Sequence, residues 1–169
     1  DVCSSDLFLA DPLSVTMILF VTGVGTLILL YSIGYMHGDA RFSRFFAYLT
    51  LFAASMLILV LGSSFLMTFL GWEGVGLCSY LLISFWFERN SAAVAGKKAF
   101  VTNRIGDFGF MLAMFMIFNK FGSIEYSVLN GEAVNSLSHS TVTFIGLMLF
   151  LGAMGKSAQF PLQIGRAHV

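Results

Sequence analysis

The sequence predicts an all-α integral membrane protein, a bundle of about five transmembrane helices. Two compositional facts carry this reading. Of 169 residues, 57% are hydrophobic and only 11% charged, where soluble domains carry about 25% charged residues. Mean hydropathy is +0.86. A third observation is the layout, in which long apolar runs alternate with short polar connections. No polar stretch is long enough to form a soluble catalytic domain. The net charge of zero gives no electrostatic support for binding nucleic acid or acidic substrates.

A spanning helix needs about 20 mostly apolar residues. The first candidate covers 12–36. Pro12 suits a helix start, where its missing N–H is harmless. Gly23, Gly25 and Gly34 allow close packing inside a membrane. The polar connection His37 to Arg44 follows. Residues 45–61 make the second span, Gly62-Ser63-Ser64 a tight turn, and residues 65–87 the third span. Glu88 to Lys97 reads as a loop, and the fourth span as 98–118. Residues 119–140 form the longest polar stretch, and a fifth span covers 141–163. Arg41, Arg44, Arg89, Lys97 and Lys98 fall on one side and only Lys120 on the other. That bias places the first side in the cytoplasm or its equivalent.

The two ends carry a separate signal. Ile164-Gly165-Arg166-Ala167-His168-Val169 can be written ATC GGA AGA GCA CAC GTC. Its reverse complement encodes Asp1-Val2-Cys3-Ser4-Ser5-Asp6. Residues 1–7 and 164–169 are therefore expected to be adapter-derived sequence, leaving 8–163 as one transmembrane domain, an internal piece of a longer chain. Cys78 is then the lone cysteine, read as a small packing residue. His37, His139 and His168 are scattered, with no spacing suited to zinc, haem or iron–sulfur ligation. No metal or cofactor site is expected in this chain.

Charge inside the apolar runs carries the functional signal. Glu73 is the only Asp, Glu, Lys, Arg or His between Phe45 and Phe87. A charge at bilayer depth costs about 2.5–3.5 kcal/mol on insertion scales, so it usually has a partner or a task. Gly71, Gly74 and Gly76 around it let another helix come close. Trp72 and Tyr80 read as packing residues. Arg104 and Asp107, three apart in the fourth span, share a face and can pair unless a third charge competes for one of them. Lys98 lies ~9 Å along the axis before Arg104; it can snorkel to the interface or join a relay. Lys156 follows fifteen uncharged residues from Thr141. Pro161 cannot donate to the carbonyl of Ser157, so the last helix is expected to break beside Lys156. Such breaks mark ion sites in transporters. Glu73, Arg104, Asp107 and Lys156 balance if all are ionised. A proton entering one such site biases the next by Coulomb coupling. The set reads as a proton relay, against the plainer alternative of self-neutralised packing pairs.

Several motifs carry a family resemblance. Gly71-Trp72-Glu73-Gly74-Val75-Gly76-Leu77-Cys78-Ser79-Tyr80-Leu81-Leu82-Ile83 resembles the signature of the L-subunit family of NADH–quinone oxidoreductases, the subunit 5 family of respiratory complex I. So do Arg44-Phe45-Phe46-Ala47-Tyr48, Lys98-Ala99-Phe100, Asn103-Arg104-Ile105-Gly106-Asp107 and Gly155-Lys156-Ser157-Ala158-Gln159-Phe160-Pro161-Leu162, in order along nearly all of 8–163. The resemblance implies helices three to seven of a longer subunit, most of one antiporter-like repeat. It implies that Glu73 and Lys156 serve a proton pathway with Arg104 and Asp107 as the accompanying ion pair. It implies a non-redox subunit of a proton-translocating enzyme, with NADH, FMN, iron–sulfur clusters and quinone held by partner subunits of the membrane complex. A bacterial inner membrane is the expected location. Leu29 stands where related proteins often carry a histidine. The competing readings are the large subunit of a multi-subunit cation/proton antiporter and a purely structural membrane anchor.

Overall fold

The computed structural model describes residues 8–129, 137–157 and 159–162. It contains six helices among these residues: α1 (Pro12–Tyr35), α2 (Phe42–Leu61), α3 (Phe65–Ile83), α4 (Asn90–Phe121), the single turn α5 (Tyr126–Leu129) and α6 (His139–Ser157). All but α5 are long and apolar enough to cross a membrane. Extended pairing among the described residues is confined to two isolated bridges, Phe8 with Gly62 and Ser64 with Glu125. The expected termini, 1–7 and 164–169, lie outside the described residues.

Local chemistry sets most helix ends. The Asp11 side chain accepts the Ser14 N–H at 2.6 Å and caps α1, with Pro12 behind it. The Ser64 side chain accepts the Met67 N–H at 3.3 Å and caps α3. Gly122, at φ 68°, terminates α4 in the left-handed region that glycine enters without strain.

Three boundaries differ by four residues or more from those expected of hydropathy. α4 starts at Asn90, not 98. The stretch Ser91-Ala92-Ala93-Val94-Ala95 is not apolar throughout, but alanine is the best helix former, so the helix runs on beyond the apolar region. At 32 residues α4 is about 48 Å long and exceeds the ~30 Å hydrocarbon core. α3 ends at Ile83, and Ser84 to Glu88 form turns in place of the expected helix to Phe87. α6 ends at Ser157 where a span to 163 was expected. Residues preceding a proline avoid the helical region, which stops the helix ahead of Pro161. The Gln159 N–H turns back to the Met154 carbonyl at 3.3 Å.

The helices pack as a row, α1 on α2, α2 on α3, α3 on α4 and α4 on α6, with the two tightest contacts at α2–α3 and α4–α6. Glycine makes both tight contacts possible. A Cβ on Gly71 would lie 2.6 Å from the Leu59 Cα of α2. A Cβ on Gly106 would lie 3.0 Å from the Gly155 Cα of α6, and the reverse holds equally. α1 is held more lightly. The Ser14 hydroxyl donates to the Val60 carbonyl at 2.9 Å, and most of the apolar helix faces outward. In a membrane such a face meets lipid or other helices.

Polar contacts tie the connections together at both ends of the helices. At the Arg-rich end, Arg41 pairs with Glu88 at 2.8 Å, joining the α1–α2 and α3–α4 connections on one side. At the other end, the segment before α5 docks on the α2–α3 turn. The Phe65 N–H donates to Ile124, the Tyr126 N–H donates to Ser63, and the Tyr126 and Thr68 hydroxyls meet at 2.7 Å. Burial pushes the Tyr126 phenol above its ordinary pKa, and the Thr68 contact only partly offsets this.

Candidate functional site: a charge cluster between three helices

The α3–α4 and α4–α6 contacts converge on four charged side chains. Glu73 projects from α3, Arg104 and Asp107 from α4, and Lys156 from the last turn of α6. Each position follows from the helix that carries it. Gly71, Gly74 and Gly76 thin α3 around Glu73, which admits the Leu59 backbone of α2, the Ser55 side chain and the Lys156 ammonium respectively. Gly106 and Gly155 draw α6 against α4 and bring Lys156 beside α3.

Glu73 Oε2 pairs with Arg104 Nη1, linking α3 to α4. This corrects the expectation that Arg104 pairs with Asp107. Spacing of three permits that pair, but the carboxylate on the facing helix takes the guanidinium. The Glu73 side chain is 22% exposed and that of Arg104 45%. The Arg104 guanidinium also lies 4.8 Å from the centroid of the Phe100 ring. Glu73 Oε1 is buried and accepts no hydrogen bond among the described residues.

Asp107 is 2% exposed and is satisfied by a neutral donor. The Trp72 indole N–H donates to its Oδ1 at 2.6 Å. Lys156 Nζ donates to the Trp72 backbone carbonyl at 3.0 Å and lies 5.3 Å from the centroid of the Trp72 ring. That ammonium occupies the space where Gly76 lacks a side chain, since a Cβ there would lie 2.7 Å from Nζ.

The sequence-predicted residues therefore separate. Glu73, Arg104, Asp107 and Lys156 come together. Lys98 is exposed on the N-terminal part of α4 and makes no ion pair among the described residues. Pro161 lies just past the end of α6, four residues beyond Ser157. Trp72, read from sequence as packing, is instead a polar contact of both Asp107 and Lys156. The signal available was its place beside Glu73, because a buried indole N–H needs an acceptor. No group of His, Cys, Asp and Glu among the described residues could hold a metal ion.

The cluster places groups that can gain or lose a proton on three neighbouring helices. A carboxylate whose second oxygen is free can take a proton, and doing so loosens its hold on the paired guanidinium. An ammonium held by a carbonyl and a ring face can release one.

The matches to known proteins cover the same segment. A family model described as NADH:quinone oxidoreductase/Mrp antiporter, TM, matches residues 62–166. A second, NADH-Ubiquinone oxidoreductase (complex I), chain 5 N-terminus, matches residues 7–46. The chain is 52% identical over 154 residues to NADH-quinone oxidoreductase subunit L of Mycobacterium tuberculosis (strain CDC 1551 / Oshkosh), covering 90% of this chain and 24% of that protein. It is 48% identical over 161 residues to the chloroplastic NAD(P)H-quinone oxidoreductase subunit 5 of Zygnema circumcarinatum, covering 92% of this chain and 23% of the relative. The chain thus spans about a quarter of the length of these relatives. Among solved structures, the Mrp complex from Dietzia sp. DQ12-45-1b superposes with a TM-score of 0.78 at 29% identity, over 90% of this chain and 17% of the matched one. With an all-helical fold, five candidate spans and a family match over more than half its length, the chain belongs to the NADH:quinone oxidoreductase/Mrp antiporter transmembrane family.

Proposed function

We propose that this chain is part of the membrane arm of a proton-translocating NADH:quinone oxidoreductase. The observation that carries the reading is the Glu73–Arg104 pair, inside the spans and beside Lys156. The higher identity to the mycobacterial subunit L, against 29% to the Mrp complex, favours the respiratory reading over the cation/proton antiporter.

In this reading Glu73, Asp107 and Lys156 carry protons, while Arg104 stays charged and changes its hold on Glu73. A proton reaching Glu73 at Oε1 neutralises the carboxylate and weakens its grip on Arg104. The altered field then favours loss of a proton from Lys156, because opposite charges stabilise one another most strongly in low dielectric. Lys98 and Pro161 lie at the edges, the one as an interfacial cation and the other as the stop that exposes the end of α6 toward the rest of the subunit. The redox chemistry of NADH, FMN, iron–sulfur clusters and quinone belongs to partner subunits. The bacterial plasma membrane is the proposed setting.

The test is Glu73→Gln in the full-length subunit within its complex, with NADH-driven proton uptake followed in inverted vesicles. Assembly is expected to persist while protons moved per NADH fall. Unchanged pumping by an assembled complex favours a structural anchor. Sodium exchange without dependence on NADH favours the antiporter.

A further inference from the structure

Trp72 lies at the centre of the charge cluster without carrying a charge. Its indole N–H reaches Asp107 of α4 at 2.6 Å, and its carbonyl holds Lys156 of α6 at 3.0 Å. One residue of α3 thus touches two charges on two other helices. Its ring is seated as well, 5.5 Å from the ring of Phe110, which is itself 6% exposed and packs against Phe65 and Phe69. The indole is not free to follow either charge.

We propose that Trp72 is a positioning residue that holds Asp107 and Lys156 as one unit, apart from the adjacent Glu73–Arg104 pair. The proposal rests on the proton-relay reading above. An indole N–H only donates, so Asp107 Oδ1 must accept, and this contact fixes the carboxyl's orientation. Neither Asp107 nor Lys156 forms a salt bridge with any described residue, so Trp72 takes the place of a direct carboxylate–ammonium contact. Because Trp72 and Glu73 share a peptide bond, a shift of α3 that follows Glu73 also moves the acceptor of Lys156. The two halves of the cluster are linked through backbone, without a shared ion pair.

Trp72→Phe, made in the full-length subunit of the assembled complex, removes the N–H and keeps the carbonyl and a ring face. The expected result is normal assembly with a proton yield per NADH lowered roughly tenfold, the scale of losing one buried hydrogen bond to a charged group. Asp107→Leu, which removes the acceptor, should give at least as large a loss. Adding Trp72→Phe to Asp107→Leu should cost nothing further, since the contact is already gone. A wild-type yield in Trp72→Phe, or losses that multiply in the double variant, overturns the proposal. If the smaller ring fails to assemble, 3-benzothienylalanine at position 72 keeps the fused rings and lacks the N–H. Failure of that isostere to assemble also overturns the proposal, because the role is then packing. Glu73→Gln measured alongside separates the two readings. Loss there with none in Trp72→Phe removes only the positioning role, whereas no loss in either removes the relay itself.

Discussion

Arg104 reaches across from α4 to the Glu73 carboxylate on α3 and leaves Asp107, three residues along its own helix, to an indole. The partner on the neighbouring helix wins because Glu73 makes no other salt bridge among the described residues, while Asp107 already has a donor. Arg104→Gln should therefore destabilise the subunit by about 1–3 kcal/mol by stranding the Glu73 carboxylate, with the lower end expected since Arg104 is 45% exposed. The double variant Glu73→Gln/Arg104→Gln should recover part of that loss. Thermal melting of the detergent-solubilised subunit measures both. Strictly additive losses would mean that the two residues do not interact.

The glycines around Glu73 make different demands. A side chain at Gly71 meets Leu59 backbone, which cannot yield. A side chain at Gly76 meets only the tip of Lys156, which can swing away. Gly71→Ala is expected to block assembly. Gly76→Ala is expected to assemble and lose proton yield by displacing the ammonium from the Trp72 carbonyl. A native gel and a vesicle pumping assay separate the two outcomes. Equal assembly defects would show that Gly76 serves packing alone.

Much of this was legible in the residues. Length and apolarity mark the five spans because a ~30 Å hydrocarbon core demands about 20 apolar residues whatever the fold. The α1 start was legible too, since Pro12 acts locally, although the Asp11 cap came from the structure. The start of α4 was not, because hydropathy reports where lipid is and alanine-rich helix continues past it. The members of the charge cluster could be named from their cost in a membrane. Their pairing could not. Spacing along α4 says which residues can touch Asp107, but only the packing of α3 and α6 says which do. Trp72 was missed because its decisive groups are a backbone carbonyl and a single N–H.

The Arg-rich end carries a pH-dependent contact outside the spans. Asp39 accepts from the Arg41 N–H at 2.7 Å and from the Trp86 indole at 3.3 Å, and these hold its carboxyl below the ordinary 3.8. A carboxyl with a lowered folded-state pKa contributes stability above its unfolded value. That contribution fades as pH falls through the folded value. Asp39→Asn should thus melt below the wild type at neutral pH, with the gap closing as pH falls below the ordinary carboxylate value. Melting curves across that range test it. A gap independent of pH would assign the effect to shape and not to charge.

Gly106 and Gly155 offer the most direct test of the packing that seats Lys156. Each lacks a side chain where the other's Cα stands, with 3.0 Å between either added Cβ and the opposite Cα. Backbone on both sides leaves nothing flexible to move, so Gly106→Ala and Gly155→Ala should each force α4 and α6 apart. Overpacking of this kind costs about 1–3 kcal/mol. Gly152 serves as the graded control. Its added Cβ would lie 3.3 Å from the Phe110 Cβ, a milder contact that a small shift relieves. The expected order of melting temperatures is wild type, then Gly152→Ala, then the other two. Separation of α4 from α6 also draws Lys156 away from Trp72, so proton yield should fall in the same order. The helix shift in Gly106→Ala and Gly155→Ala would be visible as a longer distance between spin labels on the two helices. If Gly152→Ala proves the most damaging of the three, the close crossing at Gly106 and Gly155 does not hold α6 in place.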